Sequence, residues 1–215
     1  MKNTASSLYR ASLGAAAVLA ALTAVSSAFA APDNVVDRTV VKTFDVGAAG
    51  SLRISTDSGL ISVEPGAGNQ VRVIAHERVR AKSDGQATRI LRGLDLTMKS
   101  TRDGVLASAQ YDTGGFAQYG KAHRPVEVDF EVIVPAQFAA DLTSTGGDIT
   151  VSLRPGTDYS IDAASVAGAV KVEGVQILAV SGGAGENSLV GKIGHGGVTL
   201  HLRANGNITL ENANA

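Results

Sequence analysis

The chain has 215 residues, of which 18% are charged and 4% aromatic, with a formal net charge of −1 and no cysteine. That balance supplies neither a basic stripe for nucleic acid nor the rings of a base-stacking platform. The lack of cysteine excludes disulfide staples, thiolate catalysis, Cys-type zinc sites and N-terminal lipidation, so core burial and hydrogen-bond ladders must hold the fold.

The N-terminus reads as a secretory signal. Lys2 and Arg10 form the positive region, Ala11 to Val25 the apolar region, and Ala28-Phe29-Ala30 a small-x-small cleavage site. Residues 1–30 are expected to leave, and 31–215 to form a single β-repeat domain with net charge −3 once Lys2 and Arg10 are gone. The uncharged run from Ala11 to Pro32 also raises an uncleaved anchor. Its alanine-rich composition, with Thr23, Ser26 and Ser27 in the second half, favours cleavage. No second apolar stretch approaches spanning length, so no membrane span is expected after cleavage.

In the mature chain, residues 31–38 read as an exposed lead-in. Short turn-bounded strands follow over 39–46, 52–55, 60–63 and 71–76. Residues 83–92 suit a helix capped by Ser83 or Asp84, with Ala87, Ile90 and Leu91 on one face. Strands at 94–99 and 105–110 flank the turn Thr101 to Gly104, and a polar, glycine-rich segment from Asp112 to Arg124 reads as a loop. Residues 126–134 alternate and stop at Pro135, which suits an edge or a strand end. Their outward Glu127, Asp129 and Glu131 form an acidic stripe, read as a solvated face that discourages edge pairing rather than as a cation site.

Five copies of Gly-x-Φ-x-Φ (Φ aliphatic) recur at Gly59 to Val63, Gly147 to Val151, Gly168 to Val172, Gly196 to Leu200 and Gly206 to Leu210. Each glycine suits a turn, and the alternation behind it puts aliphatic side chains on one face of a strand. Beyond Pro135, strand centres fall near Ile149, Ile161, Val170, Leu178, Leu189, Val198 and Ile208. Steps of 8 to 12 residues between them mean one strand and one turn per unit. The expected fold is all-β: a right-handed β-solenoid-like repeat at the C-terminal end with an N-terminal sheet or sandwich-like cap. The alternative is an antiparallel β-sandwich.

The run Val128 to Pro135, the segment Thr145 to Val151, its echo at Ala167 to Val172 and the closing Gly206 to Leu210 together resemble the bacterial β-strand-repeat family of putative adhesins. The resemblance spans most of the mature chain and implies extracytoplasmic, adhesin-like β-repeats. It supplies no catalytic residues. Ala169 and Lys171 depart from it, where Asp and Thr would be commoner, as does the irregular region from Gly182 to Gly197.

Several short motifs have a chemical reading and a plainer one. Asp57-Ser58-Gly59 and Asp112-Thr113-Gly114 match the Asp-Ser/Thr-Gly of aspartic proteases, but lack the apolar strand that should lead into each and use ordinary turn residues. Gly182 to Val190 nearly reproduces a calcium-binding nonapeptide with Asn187 in place of aspartate, yet a single copy gives half a cage. Gly185 to Lys192 misses the phosphate-loop spacing and has Ile193 where a magnesium-binding hydroxyl belongs. Gly194-His195-Gly196-Gly197 is a turn, and the Asn207-Ile208-Thr209 sequon falls within a strand. His76, His123, His195 and His201 show no ligand spacing, and His201, between Leu200 and Leu202, should face solvent.

These observations predict an exported, non-enzymatic protein without catalytic, metal or cofactor residues, acting as an adhesin-like surface binder or envelope scaffold. Its candidate binding face is Thr150, Ser152, Lys171, Thr199, His201 and Thr209. The expected partner is an envelope protein or glycan, and the expected location periplasmic or secreted. Two rivals stand beside this: a partner of an envelope-stress sensor, and a polysaccharide-active β-helix enzyme.

Overall fold

In the computed structural model the described residues are 34–47, 50–111, 126–182 and 185–213. The expected signal segment with its cleavage site, the expected loop from Asp112 to Arg124 with His123, and residues 183–184 lie outside them. The elements run β1 (Asn34–Asp45), β2 (Ser51–Thr56), β3 (Ile61–Pro65), β4 (Gln70–Ala81), α1 (Asp84–Arg92), β5 (Leu94–Thr101), β6 (Gly104–Tyr111) and β7 (Val126–Val134). Then follow β8 (Ala139–Ser144), β9 (Ile149–Leu153), β10 (Tyr159–Ser165), β11 (Val170–Glu173), β12 (Leu178–Gly182), β13 (Ser188–Ile193), β14 (Val198–Ala204) and β15 (Ile208–Asn212).

Two mixed sheets enclose one core. The seven-stranded sheet has the order β1-β4-β7-β3-β9-β15-β11, and the eight-stranded sheet β12-β13-β10-β14-β8-β2-β6-β5. Five sequence-adjacent pairs, β6/β7, β2/β3, β8/β9, β14/β15 and β10/β11, cross between the sheets and follow one another in the same order in both. Within this block every neighbouring pair is parallel, while the outer strands β1, β4, β5, β12 and β13 pair antiparallel.

The glycine repeat explains the register. Four of its five copies open β3, β9, β15 and β11, which are consecutive in the seven-stranded sheet. Ile61 therefore aligns with Ile149, Ile149 with Ile208 and Ile208 with Val170, and one step on Val63, Val151, Leu210 and Val172 align likewise. All four residues of the first row are at most 1% exposed. The copy at Gly196 leads into β14, in the opposite sheet.

The turns between the sheets are cross-linked by hydroxyls. Ser144 Oγ accepts the Gly147 N–H and donates to the Gly59 carbonyl of the adjacent turn, both at 2.9 Å. Ser165 Oγ accepts from Gly168 and donates to Gly206 in the same way, each at 2.7 Å. Asp148 Oδ1 accepts from Asn207 N at 2.7 Å, and Asn207 Oδ1 from Ala169 N at 3.2 Å. The side-chain ladder stops at Ala169 because β11 is the last strand of its sheet, and the segment beyond it joins through backbone groups instead. That accounts for the departure at this position, and Lys171 beside it gives the edge a charge.

Turns this close leave no room for a methyl group. A Cβ at Gly147 would lie 2.2 Å from the Gly59 carbonyl oxygen. Gly147→Ala should cost about 1–3 kcal/mol, the usual penalty of forcing extra atoms into packed structure. Gly85→Ala, in α1 where a Cβ meets nothing within 4 Å, should be neutral or stabilising. Urea midpoints of the two variants check this, and equal shifts would deny the close stacking.

The far ends are closed by different devices. Ser83 caps α1 through Gln86 N, while the Gln86 side chain accepts from Lys82 N. Ala87 and Ile90 are buried as the helix packs on β4 and β5. Lys42 spans the same end, donating to the Met98 carbonyl of the other sheet at 2.9 Å. At the opposite end Ser165 N donates to Asn187 O, Val170 N to Glu186 O and Gly185 N to Val170 O, all at 2.7 Å. The segment that resembles a calcium nonapeptide thus closes the last turn with its backbone.

Several expectations need correction. A solenoid stacks turns in sequence order, whereas β8/β9 lies beside β14/β15, with β10/β11 one place beyond. The two facing sheets suit the sandwich alternative, but its strands are parallel through the middle instead of antiparallel. Residues 34–38 are not a lead-in: they extend β1 along β4, where Val36 opposes Val79 and Arg38 opposes Glu77. Residues 126–134 are not an edge, because β7 lies between β4 and β3.

Candidate functional site

Alternation along a strand gives in and out, but two sheets have two outsides. Of the six residues of the expected face, Thr150, Ser152, Lys171 and Thr209 belong to the seven-stranded sheet, and Thr199 and His201 to β14 of the other. They cannot form one surface. On the first sheet Lys171, Thr209, Thr150, Ser62 and Glu131 align as a cross-strand polar row. Ser152 is only 6% exposed and donates to Glu211 at 2.8 Å, so it supports that face without being displayed.

The acidic stripe on this sheet meets an opposing basic one. Glu127 pairs in register with Arg78, whose guanidinium lies 3.4 Å from Glu127, 3.8 Å from Asp37 and 3.9 Å from Asp129. His76 stands 3.6 Å from Glu131. The stripe therefore serves cross-strand pairing inside the sheet.

Thr199 and His201 contribute to something more concave. The outer face of the eight-stranded sheet carries a groove of about 370 Å³ crossing β14, β8, β2 and β6. Its lining takes in the small residues Ser51 and Ala139 at the strand starts and Leu106 of β6, with the core residues Leu52, Val105 and Ala140 beneath. One wall is a register row in which His201 aligns with Asp141, Asp141 with Arg53, and Arg53 with Leu106; Asp162 of β10 continues the row beside the groove, next to His201. Thr101 and Asp103, at the turn between β5 and β6, line the groove as well.

The charges of this row neutralise one another. Arg53 Nε is 3.1 Å from Asp141, and Asp162 Oδ2 takes Arg203 Nη2 at 2.7 Å and His201 Nδ1 at 3.3 Å. The hydrogen bond from Arg203, more than any other influence, holds the Asp162 carboxyl below the usual aspartate value. A depressed folded-state pKa contributes stability above the unfolded aspartate value of about 3.9, lost as pH falls through the lower folded value. The wild-type melting temperature should therefore drop more steeply than that of Asp162→Asn between about pH 5 and pH 2. Parallel curves would show that the pair contributes nothing on this exposed face.

The other motifs take structural roles. Asp57 Oδ2 accepts the Tyr111 N–H at 3.0 Å, and its carbonyl accepts the Thr145 hydroxyl at 2.9 Å, which ties neighbouring turns together. Asp158 Oδ1 accepts His195 N at 3.1 Å across the glycine turn, leaving the imidazole 98% exposed. Among the described residues, no group of three or more His, Asp or Glu is arranged to hold a metal ion. None of the described helices is long and apolar enough to cross a membrane.

Arg53, Asp141, Asp103 and Ser51 were missing from the sequence-derived face. The outward phase of Arg53 in β2 was readable, but nothing local placed β2 two strands from β14.

No family model matches the chain, and no curated protein matches it. Among solved structures, a putative cell adhesion protein from Clostridium sporogenes aligns at 11% identity over 82% of this chain and 100% of its own, with a TM-score of 0.35. A putative adhesin from Bacteroides fragilis aligns at 10% identity over 82% and 97%, with a TM-score of 0.29. Likenesses this distant carry no argument about fold or function.

Proposed function

We propose that this chain is an exported, non-enzymatic β-sheet protein of the cell envelope that acts as a surface binder or scaffold through the outer face of its eight-stranded sheet. The observation that supports this most is the groove walled by Arg53, Asp141 and His201. Arg53 and Asp141 are held to each other across adjacent strands, which suits a preorganised polar recognition surface.

The test uses residues 31–215. We expect saturable binding to an envelope glycan or envelope protein, weakened by Arg53→Ala, with no product released from polysaccharide or peptide panels. EDTA and millimolar calcium should leave the melting temperature unchanged. Product release that disappears on replacing Asp57 or Asp141 would contradict the reading.

A further inference from the structure

We infer that the groove on the eight-stranded sheet binds a neutral oligosaccharide laid across β14, β8, β2 and β6. This rests on the surface-binding reading and names its ligand class. The first reason is charge. The wall pairs Arg53 with Asp141, and His201 stands between Asp141 and the Arg203-bound Asp162, so the lining keeps no surplus positive charge for an anion and, at Asp103, a single carboxylate for a cation.

The second reason is the mixture of hydrogen-bonding groups. Thr199, Thr101 and Ser51 offer hydroxyls, Asp141 and Asp103 acceptors, and Arg53 donors, all lining one groove. A sugar hydroxyl both donates and accepts, so neighbouring hydroxyls can bridge a carboxylate and a guanidinium with charge-assisted bonds. The Arg53, Asp141 and His201 side chains are 68%, 46% and 53% exposed, so a ligand reaches them without opening the fold. The small side chains of Ser51 and Ala139 leave room for a sugar ring, and Leu106 offers it an apolar contact.

The third reason separates a glycan from a peptide. The groove lies on the face of a sheet whose backbone groups are already paired with neighbouring strands, so it offers no open ladder. An extended peptide recognised by strand addition needs such an edge. A peptide here would have to satisfy its amides with side chains alone.

The experiment titrates the 31–215 protein with maltotetraose, cellotetraose and chitotetraose, with tetragalacturonate as the anionic control, and follows backbone amide shifts. At least one neutral tetrasaccharide should bind and move Ser51, Ala139 and Thr199. Arg53→Ala and Asp141→Ala should each weaken it about tenfold or more with the melting temperature preserved, while Lys171→Ala on the opposite sheet leaves it unchanged. Failure of all three neutral sugars at millimolar concentration, a preference for tetragalacturonate, or binding indifferent to both substitutions would overturn the inference. An envelope protein that binds only while Arg53 is intact, with no sugar bound, would reject the ligand class and keep the surface-binding reading. Product release would reject the non-enzymatic reading and leave the ligand class standing.

Discussion

Ile149→Asp should abolish folding, and Ile208→Asp should do the same. Both side chains are fully buried and adjacent in the register row that continues to Ile61 and Val170. Losing a buried aliphatic group costs about 1.5–3 kcal/mol, and an unpaired carboxylate in its place adds a larger desolvation penalty. Together these approach the roughly 5–15 kcal/mol that holds an ordinary domain together. Thr150→Asp, one residue along and on the outer face, should change stability by less than about 1 kcal/mol. Circular dichroism and thermal melts of the three variants decide it. Equal effects would mean that the inward and outward phases of β9 are wrong.

Arg38→Met should destabilise the protein by about 3–5 kcal/mol, because it strands a buried charge. Glu77 occupies the inward row of β4 between Ala75 and Val79, and its side chain is 0% exposed. Arg38, directly opposite on β1, grips both carboxylate oxygens at 2.6 Å. The pair fixes the register of an edge strand by a contact that slippage would break. Replacing both partners, Arg38→Met with Glu77→Leu, should recover most of the loss, since an apolar pair of similar size is often at least as stable as a buried ion pair. Urea unfolding measures each variant. A double variant as unstable as Arg38→Met alone would show that the stranded charge is not the cause.

That same pair shows where sequence reading stops. A glutamate in the middle of a strand signals solvent, so the expected strand ended at His76, and residues 34–38 had no visible partner. The helix at 83–92 was legible because its cap and apolar face are local. Strand β8 was missed, since Ala139 to Ser144 contain one large aliphatic residue, Leu142, and bury small ones beside it. The glycine repeat showed which strands share a phase, because the phase is set within each strand. Their order is set by contacts between distant turns, such as Ser144 with Gly59. The period could not reveal that, so the expected face mixed residues of two opposed sheets.

The central claim is the strand order that brings Asp141, His201 and Arg53 to one groove, and engineered disulfides test it most directly in a chain with no cysteine of its own. Asp141 and His201 are register partners on adjacent strands, about 4.8 Å apart and within disulfide reach. Asp141 and Asp162 have β14 between them, a gap of about 10 Å that no disulfide spans. A solenoid stacked in sequence order would make the second pair neighbours instead. Asp141→Cys with His201→Cys should oxidise to an intramolecular disulfide in the folded protein, seen by non-reducing mass analysis, while Asp141→Cys with Asp162→Cys stays reduced. The reverse outcome would contradict the strand order and the groove with it.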